Sequence, residues 1–468
     1  MNRTIVIAVG FFLTFFAYFS FTAYHLPNAA GPDFKYSRLA ADFYFEENRM
    51  AVVPDDLDKI AFSQYGNARL LRPPLGFFLP AQMAKLPVLN NVHRAYAYRV
   101  NIAMLAALTV MLIFLSLKTY FGNSLFASFG ALCIGLMPQF GFYASYFSDD
   151  MIAFFASSLL AYTMVLIVKN GITLPKQIFF AFAAGLCVVS KATAWVFLVP
   201  AIIFYLIFMV TYSKEYFTSK NFFLPLIYMS LAFIVGGGWW LLFNMYHYGA
   251  SDIILSKTVA KLAENTAKLD LESLGFKMQG LGVNQLLFLN SKNFIGATYI
   301  AFIGNLDWLR LKVGSMQYAF YLWIIVGFVL NAFILLYQSI EYWLSRLSFQ
   351  DTGFSIRLFV FELILYFSLI LQLYIYTRHN VYSDIQIQGK YLMPIILPMT
   401  VLGVAFYFRA YRYLRDRFSE ITIPTQFIAV GLFGLFLLPV VIHVDALVDH
   451  VIPFYWPNFE IPAYLSWM

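Results

Sequence analysis

The sequence predicts an all-α membrane protein with about eleven transmembrane helices, in a range of about ten to thirteen. Three observations carry this: the composition, the recurrence of long apolar runs, and a consistent Lys/Arg bias among the connections. Of the 468 residues, 61% are hydrophobic and only 12% are Asp, Glu, Lys or Arg. Mean hydropathy is +0.72. Soluble domains run near about 45–50% apolar and about 25% charged. A water-soluble globule of this length has no interior large enough for the excess.

Runs able to cross roughly 30 Å of hydrocarbon lie near 4–24, 96–117, 122–144, 150–168, 177–190, 194–212, 222–244, 316–338, 357–376, 391–408 and 425–445. The first follows Arg3 and exceeds the apolar core of about 7–15 residues found in a cleaved signal, so it reads as a retained anchor. The fifth is short, and 75–89 is either a further span or a dipping segment.

Lys and Arg in short loops set orientation. With the N-terminus inside, the inner connections hold Arg3, Lys118, Lys169, Lys176, Lys214, Lys220, Arg346, Arg357, Arg409, Arg412, Arg415 and Arg417. Their acids are few: Glu215, Glu341, Asp351, Asp416 and Glu420. The chain then forms a single multi-span membrane domain over 1–468. Residues 25–95 make a first outer loop with interfacial helices, 245–315 a second long outer loop, and 448–468 an outer C-terminal tail. The net charge of +7 fits inner loops and anionic lipid rather than nucleic acid. Cys133 and Cys187 fall inside apolar runs, which argues against a disulfide framework. The six histidines lack metal-ligand spacing, which argues against zinc; no cofactor is expected, and a divalent metal is left open but not indicated.

Residues 31–48, GPDFKYSRLAADFYFEEN, concentrate scarce charge directly after the first span. Tyr36, Leu39, Ala40 and Phe43 recur at i, i+3, i+4 and i+7, while Lys35, Arg38, Asp42 and Arg49 share another face. This predicts an interfacial amphipathic helix. Arg38 and Asp42 read as an i, i+4 surface pair. Asp33, at the junction with the first span, is placed to point into a cavity beneath it.

Other polar groups gather at the same outer face. Asp149 and Asp150 lie where the third span ends and the fourth begins. Ser148 and acids at a helix start suit capping and the helix dipole, but two adjacent acids exceed what a cap needs. Lys191 lies between two apolar stretches, where it either snorkels or meets an anionic head group. The stretch GGGWWLLFNMYHYG supplies close-packing glycines, a Trp239–Trp240 pair of the belt type, and then Asn244 and His247. Lys390 sits at the N-terminal end of the tenth span, where the dipole disfavours a cation, so it needs another reason to be there. Carboxylates can act as general bases toward a hydroxyl, and cations can hold a phosphate leaving group. Separated acids and cations around a membrane cavity fit lipid-phosphate chemistry.

These residues resemble motifs of the GT-C superfamily of membrane glycosyltransferases, which includes protein O-mannosyltransferases and the lipid A aminoarabinose transferase. The likeness is strongest to a bacterial branch catalogued only as predicted membrane proteins. It rests on Pro32-Asp33, RPPLGFFLPAQMAKL at 72–86, LMPQFGFYASYFSDD at 136–150, GLCVVSKATAWVFLVP at 185–200, GGWWLLFNMYHYG at 237–249 and QGKYLMP at 388–394. Each motif is weak alone; their order, spacing and common sidedness make the set specific.

The resemblance implies a monosaccharide transferred from a polyprenyl-phosphate carrier to a surface glycan or lipid acceptor, with inversion, on the outer face of a bacterial inner membrane. It gives Asp33 the role of catalytic carboxylate, with Asp150 and its neighbour Asp149 as further acids. Lys191 and Lys390 would hold the donor phosphate, with Arg72 and His247 as helpers and Gln388, Tyr391 and Asn244 nearby. Two departures stand out. Phe34 replaces a second acid after Asp33, and Lys390 replaces an arginine, keeping the charge without the bidentate fork.

Two other classes compete. A transporter or lipid flippase would line a pathway with charge through the bundle and show an inverted repeat, yet charge here is sparse mid-helix and no repeat is visible. An O-antigen ligase or polymerase would share the outward site. The early Pro32-Asp33 and the late Gln388-Gly389-Lys390-Tyr391 favour the GT-C resemblance over both.

Overall fold

Apolar helices dominate the computed structural model, which describes residues 3–27, 31, 34–89, 91–212, 223–270, 273–348, 355–417 and 425–457. Asp33, Lys214, Lys220 and residues 458–468 lie outside the described residues. In chain order the helices are α1 (Arg3–His25), α2 (Phe34–Glu47), α3 (Leu75–Met83), α4 (Arg94–Phe121), α5 (Ser124–Gly135), α6 (Pro138–Ser145), α7 (Asp150–Asn170), α8 (Leu174–Ser190) and α9 (Ala192–Tyr212). There follow α10 (Phe223–Phe233), α11 (Trp239–Tyr248), α12 (Ser256–Thr266), α13 (Val283–Leu287) and α14 (Phe294–Gly304). A two-residue hairpin, β1 (Asn305–Leu306) and β2 (Leu311–Lys312), comes next. The chain then continues through α15 (Ser315–Ser348), α16 (Ile356–Tyr382), α17 (Ile396–Arg417), α18 (Thr425–Asp445) and α19 (Ile452–Tyr455).

Among the described residues nine helical stretches are long and apolar enough to cross a membrane, rather than about eleven. Two expected spans account for the difference. Residues 122–144 form α5 and α6, bent by 62°, because Pro138 cannot continue the α5 hydrogen-bond ladder. The break leaves the Leu136 carbonyl without a helical partner, and His443 Nδ1 meets it at 2.7 Å. His443 Nε2 lies 2.5 Å from the Tyr18 hydroxyl, tying α1, the break and α18 together. The fifth expected span, α8, has 17 residues, about 25 Å at a rise of about 1.5 Å per residue. Residues 75–89 give only the nine-residue α3 followed by a short turn. The last expected span, 425–445, coincides with α18 (Thr425–Asp445), and apolar helix runs on from it to Tyr455.

The heart of the bundle is α4 and α7, which pack on each other. Arg99 of α4 is buried and turns its guanidinium onto the end of α1, donating to the carbonyls of Ala23 (3.0 Å), Leu26 (2.6 Å) and Pro27 (3.0 Å). Cationic side chains suit the last carbonyls of a helix. The glycine run between α10 and α11 packs on α8 so closely that a Cβ at Gly237 would lie 2.1 Å from the Gly185 carbonyl oxygen. Trp240 beside it is 1% exposed, so it is a packing residue and not a belt anchor.

Helix α4 reaches the charges of α2 at the surface. Arg38 and Asp42 do pair (3.4 Å), but Asp42 also accepts from Tyr98 (2.7 Å), and Arg94 reaches Glu46 at 3.0 Å. Beyond α2, Arg49 grips the buried Asp56 through two nitrogens at 2.7 and 2.5 Å. The Arg49 hydrogen bonds and the Val52 N–H hold the Asp56 carboxyl down at about 2.

Candidate active site

Four chain segments bring the site together. Helix α8 ends at Ser190, and Lys191 follows in extended backbone before α9. The ammonium of Lys191 lies 2.6 Å from Asp149 Oδ1 and 2.6 Å from Asp150 Oδ1. All three side chains are buried, so Lys191 does not snorkel. Capping of α7 falls to Ser148, whose Oγ accepts from the Asp150 N–H at 3.2 Å. The two acids are thereby turned to the lysine.

Arg69 and Arg72 come from the chain just before α3. Their guanidinium groups stand 3.4 and 3.8 Å from Asp149. Gly76, in the first turn of α3, permits this approach: a Cβ there would lie 2.9 Å from that of Asp149. Burial opposes ionisation of Asp149, but the charges of Lys191, Arg69 and Arg72 outweigh it and hold the carboxyl well below the usual carboxylate range. Lys390 sits in a 3₁₀ turn, Gly389–Ile395, ahead of α17, with its Nζ 4.0 Å from Asp150 Oδ2. Gly389 presses that turn against α14; a Cβ would stand 2.2 Å from the Ala301 carbonyl oxygen.

These cations face a cavity of about 850 Å³. Arg69, Arg72, Lys191, Lys390, Gln388 and Tyr391 line it. Asp149 and Asp150 lie behind Lys191 and are not in the lining. Of the expected residues, His247 and Asn244 also stay apart. Asn244 donates to the Ile253 carbonyl at 2.9 Å, and His247 is exposed beside Phe243. Tyr36 of α2, close in sequence to Asp33, does line the cavity. Sequence reasoning missed Arg69, which stands three residues before Arg72 and so on the same side of a helical turn. It also missed the lining residues of α16 and the Asp307–Arg310 turn, which carry no motif. Among the described residues no cluster of His, Cys, Asp and Glu could hold a metal ion.

A family model described as dolichyl-phosphate-mannose-protein mannosyltransferase matches residues 72–240, the stretch from Arg72 to Trp240 that contains Asp149, Asp150 and Lys191. A comparison with curated proteins finds no match. Among solved structures, the archaeal oligosaccharyltransferase AglB from Archaeoglobus fulgidus, in complex with an inhibitory peptide and a dolichol-phosphate, superposes with a TM-score of 0.50 at 14% identity. That match covers 93% of this chain and 55% of the other. ArnT from Cupriavidus metallidurans bound to undecaprenyl phosphate gives a TM-score of 0.43 at 12% identity, covering 95% of this chain and 71% of that one. The chain therefore shares the fold of AglB, and its segment from Arg72 to Trp240 is similar to the dolichyl-phosphate-mannose-protein mannosyltransferase family.

Proposed function

We propose that the protein transfers a monosaccharide from a polyprenyl-phosphate carrier to a hydroxyl of a surface glycan or lipid acceptor, on the outer face of a bacterial inner membrane. The observation that carries this is the convergence of Arg69, Arg72, Lys191 and Lys390, from three distant parts of the chain, on one cavity within the membrane bundle. The matching family is described by a dolichyl-phosphate sugar, and AglB is in complex with a dolichol-phosphate. Both support a lipid-phosphate ligand for these cations.

In the proposed reaction the Asp33 carboxylate takes the proton of the acceptor hydroxyl. The acceptor oxygen attacks the anomeric carbon from the face opposite the phosphate. The bond from that carbon to the phosphate oxygen breaks, its electron pair leaves with the polyprenyl phosphate, and the configuration inverts. Lys390 and Arg72 hold the departing charge, as fixed cations do in a low-dielectric site. Asp149 and Asp150 act one step back, as counter-ions that fix the Lys191 ammonium. A carboxyl held as far down as Asp149 is a weak proton acceptor.

Binding of undecaprenyl phosphate to the purified protein in nanodiscs tests the reading. A charge-assisted hydrogen bond is worth about 1.5–3 kcal/mol, so Lys390→Gln should weaken binding by roughly 10–100-fold. Lys390→Arg should be milder. Lys191→Gln leaves two carboxylates facing each other, so it is compared with the charge-balanced double variant Lys191→Gln/Asp150→Asn. Unchanged affinity in folded Lys390→Gln and in the double variant defeats the assignment.

A further inference from the structure

Charge explains four of the residues around the cavity and leaves a second kind of lining unexplained. Gln372 and Tyr376 of α16, Gln386, Gln388 and Tyr391 after it, and Trp308 of the hairpin turn all face the same space. Two of them are held in ways that packing alone does not require. Gln372 is 2% exposed; its Nε2 donates to the Tyr391 carbonyl at 2.5 Å, while its Oε1 accepts no hydrogen bond. A buried amide oxygen without a donor is disfavoured until something supplies one. Trp308 is the reverse case, a large apolar ring left 55% exposed. It sits in a turn where Asp307, Trp308 and Leu309 all take left-handed backbone, with φ of 43°, 52° and 65°. Such strain in non-glycine residues persists only where the surroundings enforce it. Here Arg310 pairs with the buried side chain of Asp307, and the Arg310 N–H bonds the carbonyls of Leu306 (3.1 Å) and Asp307 (2.9 Å).

We propose that this wall is the subsite for the donor's sugar, and that the sugar is a neutral pyranose. The inference rests on the lipid-phosphate reading of the cations. Pyranoses offer hydroxyls that bond amide groups and an apolar C–H face that packs on an indole. Gln388 adjoins Lys390 through Gly389 alone, so the amides begin where the phosphate ligands end. Gln372 Oε1 receives a sugar hydroxyl, and Trp308 covers the ring face. Neutrality follows from what is already engaged: Asp384, the one carboxylate in the described lining, accepts from Gln386 Nε2 at 2.7 Å. An aminosugar would compete with that bond, and a uronic acid would compete with the phosphate for the cations.

The test compares three ligands on the full-length protein in nanodiscs: undecaprenyl phosphate, glucosyl-phosphoryl-undecaprenol and mannosyl-phosphoryl-undecaprenol. It is run at about pH 5, below the second phosphate pKa of about 6, so that the bare carrier, like the hexosyl carriers, bears close to one negative charge. The wild-type protein should then bind at least one hexosyl carrier about tenfold more tightly than the bare carrier. Trp308→Leu keeps an apolar surface residue without the ring and should bring that ratio near one; Trp308→Tyr should retain most of it. Gln372→Leu should also lower the ratio, with affinity for the bare carrier kept within about twofold. Equal wild-type affinity for all three ligands overturns the subsite, as does a ratio unchanged in both Trp308→Leu and Gln372→Leu. Failure of the wild-type protein to bind even undecaprenyl phosphate is a different result, and defeats the phosphate reading beneath it.

Discussion

Asp149 and Asp33 illustrate two fates for a carboxylate in an apolar chain. Asp149 is 2% exposed and faces Lys191, Arg69 and Arg72. Removing one member of a buried ion pair costs about 3–5 kcal/mol, chiefly because the other charge is left uncompensated, and the role proposed for Asp149 is to keep Lys191 charged and in place. Asp33 carries the proposed proton transfer. Asp33→Asn preserves size and removes the base. It should lower glycosylation by about 10²–10⁴-fold while leaving binding of bare undecaprenyl phosphate intact. The measurement is mass spectrometry of envelope glycans from deletion cells expressing the variant at wild-type level; wild-type glycan content would remove Asp33 from the mechanism. The sequence displays Asp149, Asp150, Lys191 and Lys390 as charges in oily surroundings, which is why they can be found without coordinates. Arg99 is as buried as any of them, but it lies inside a predicted span, and its partners are backbone carbonyls that no residue type advertises. Gln372 and Trp308 are invisible for a related reason: a glutamine or a tryptophan in a membrane protein has many ordinary explanations.

Elements in this protein are positioned by close backbone approaches as much as by side chains. Gly389 is the plainest case, since it lets the turn bearing Lys390 lie against α14. Gly389→Ala would push that turn off the Ala301 carbonyl and carry Lys390 with it. Its affinity for undecaprenyl phosphate should fall roughly as far as in Lys390→Gln, about 10-fold or more. Gly10→Ala, where a Cβ meets nothing within 4 Å, is the control. Equal binding by both variants would show that the turn has room to spare. The glycine of QGKY is legible as a motif, but its partner is not, because Ala301 belongs to a region with no pattern beyond apolarity. The break between α5 and α6 follows from Pro138, yet hydropathy alone runs through it because apolar composition is continuous across the bend. Residue type places Trp240 at the interface, whereas the neighbouring glycines allow α8 close enough to bury it.

The whole molecule has two charged ends of different character. At one end lie the cavity and the crossing of Asp149, Lys191 and Lys390. At the other, Glu362 is fully buried and accepts from Arg409 (2.5 Å), Tyr120 (2.5 Å) and Asn331 (2.8 Å), tying α4, α15, α16 and α17 together. A flippase pathway would need both ends to open, and this network resists that at one of them. Reporter fusions at Lys169 and Arg412 should report the cytoplasm, and one after Ser291 the outside; the reverse result at Ser291 would move the proposed site to the other leaflet. The Lys/Arg bias supplies this expected sidedness, while the packing between distant spans depends on contacts that no local pattern encodes. The charge balance of the site has a kinetic consequence. Arg69, Arg72, Lys191 and Lys390 face the cavity, and the charge of the bound carrier changes against them during the proposed reaction. A glycosylated carrier is a phosphodiester with one negative charge, whereas the spent carrier is a monoester with about −1.5 to −2 at neutral pH. The proposed reaction therefore converts a singly charged ligand into a more highly charged one facing the same cations, and the added charge offsets the sugar contacts just lost. At neutral pH the by-product should compete with fresh donor, the first turnover should outpace later cycles, and the enzyme should run faster in membranes where spent carrier is promptly withdrawn.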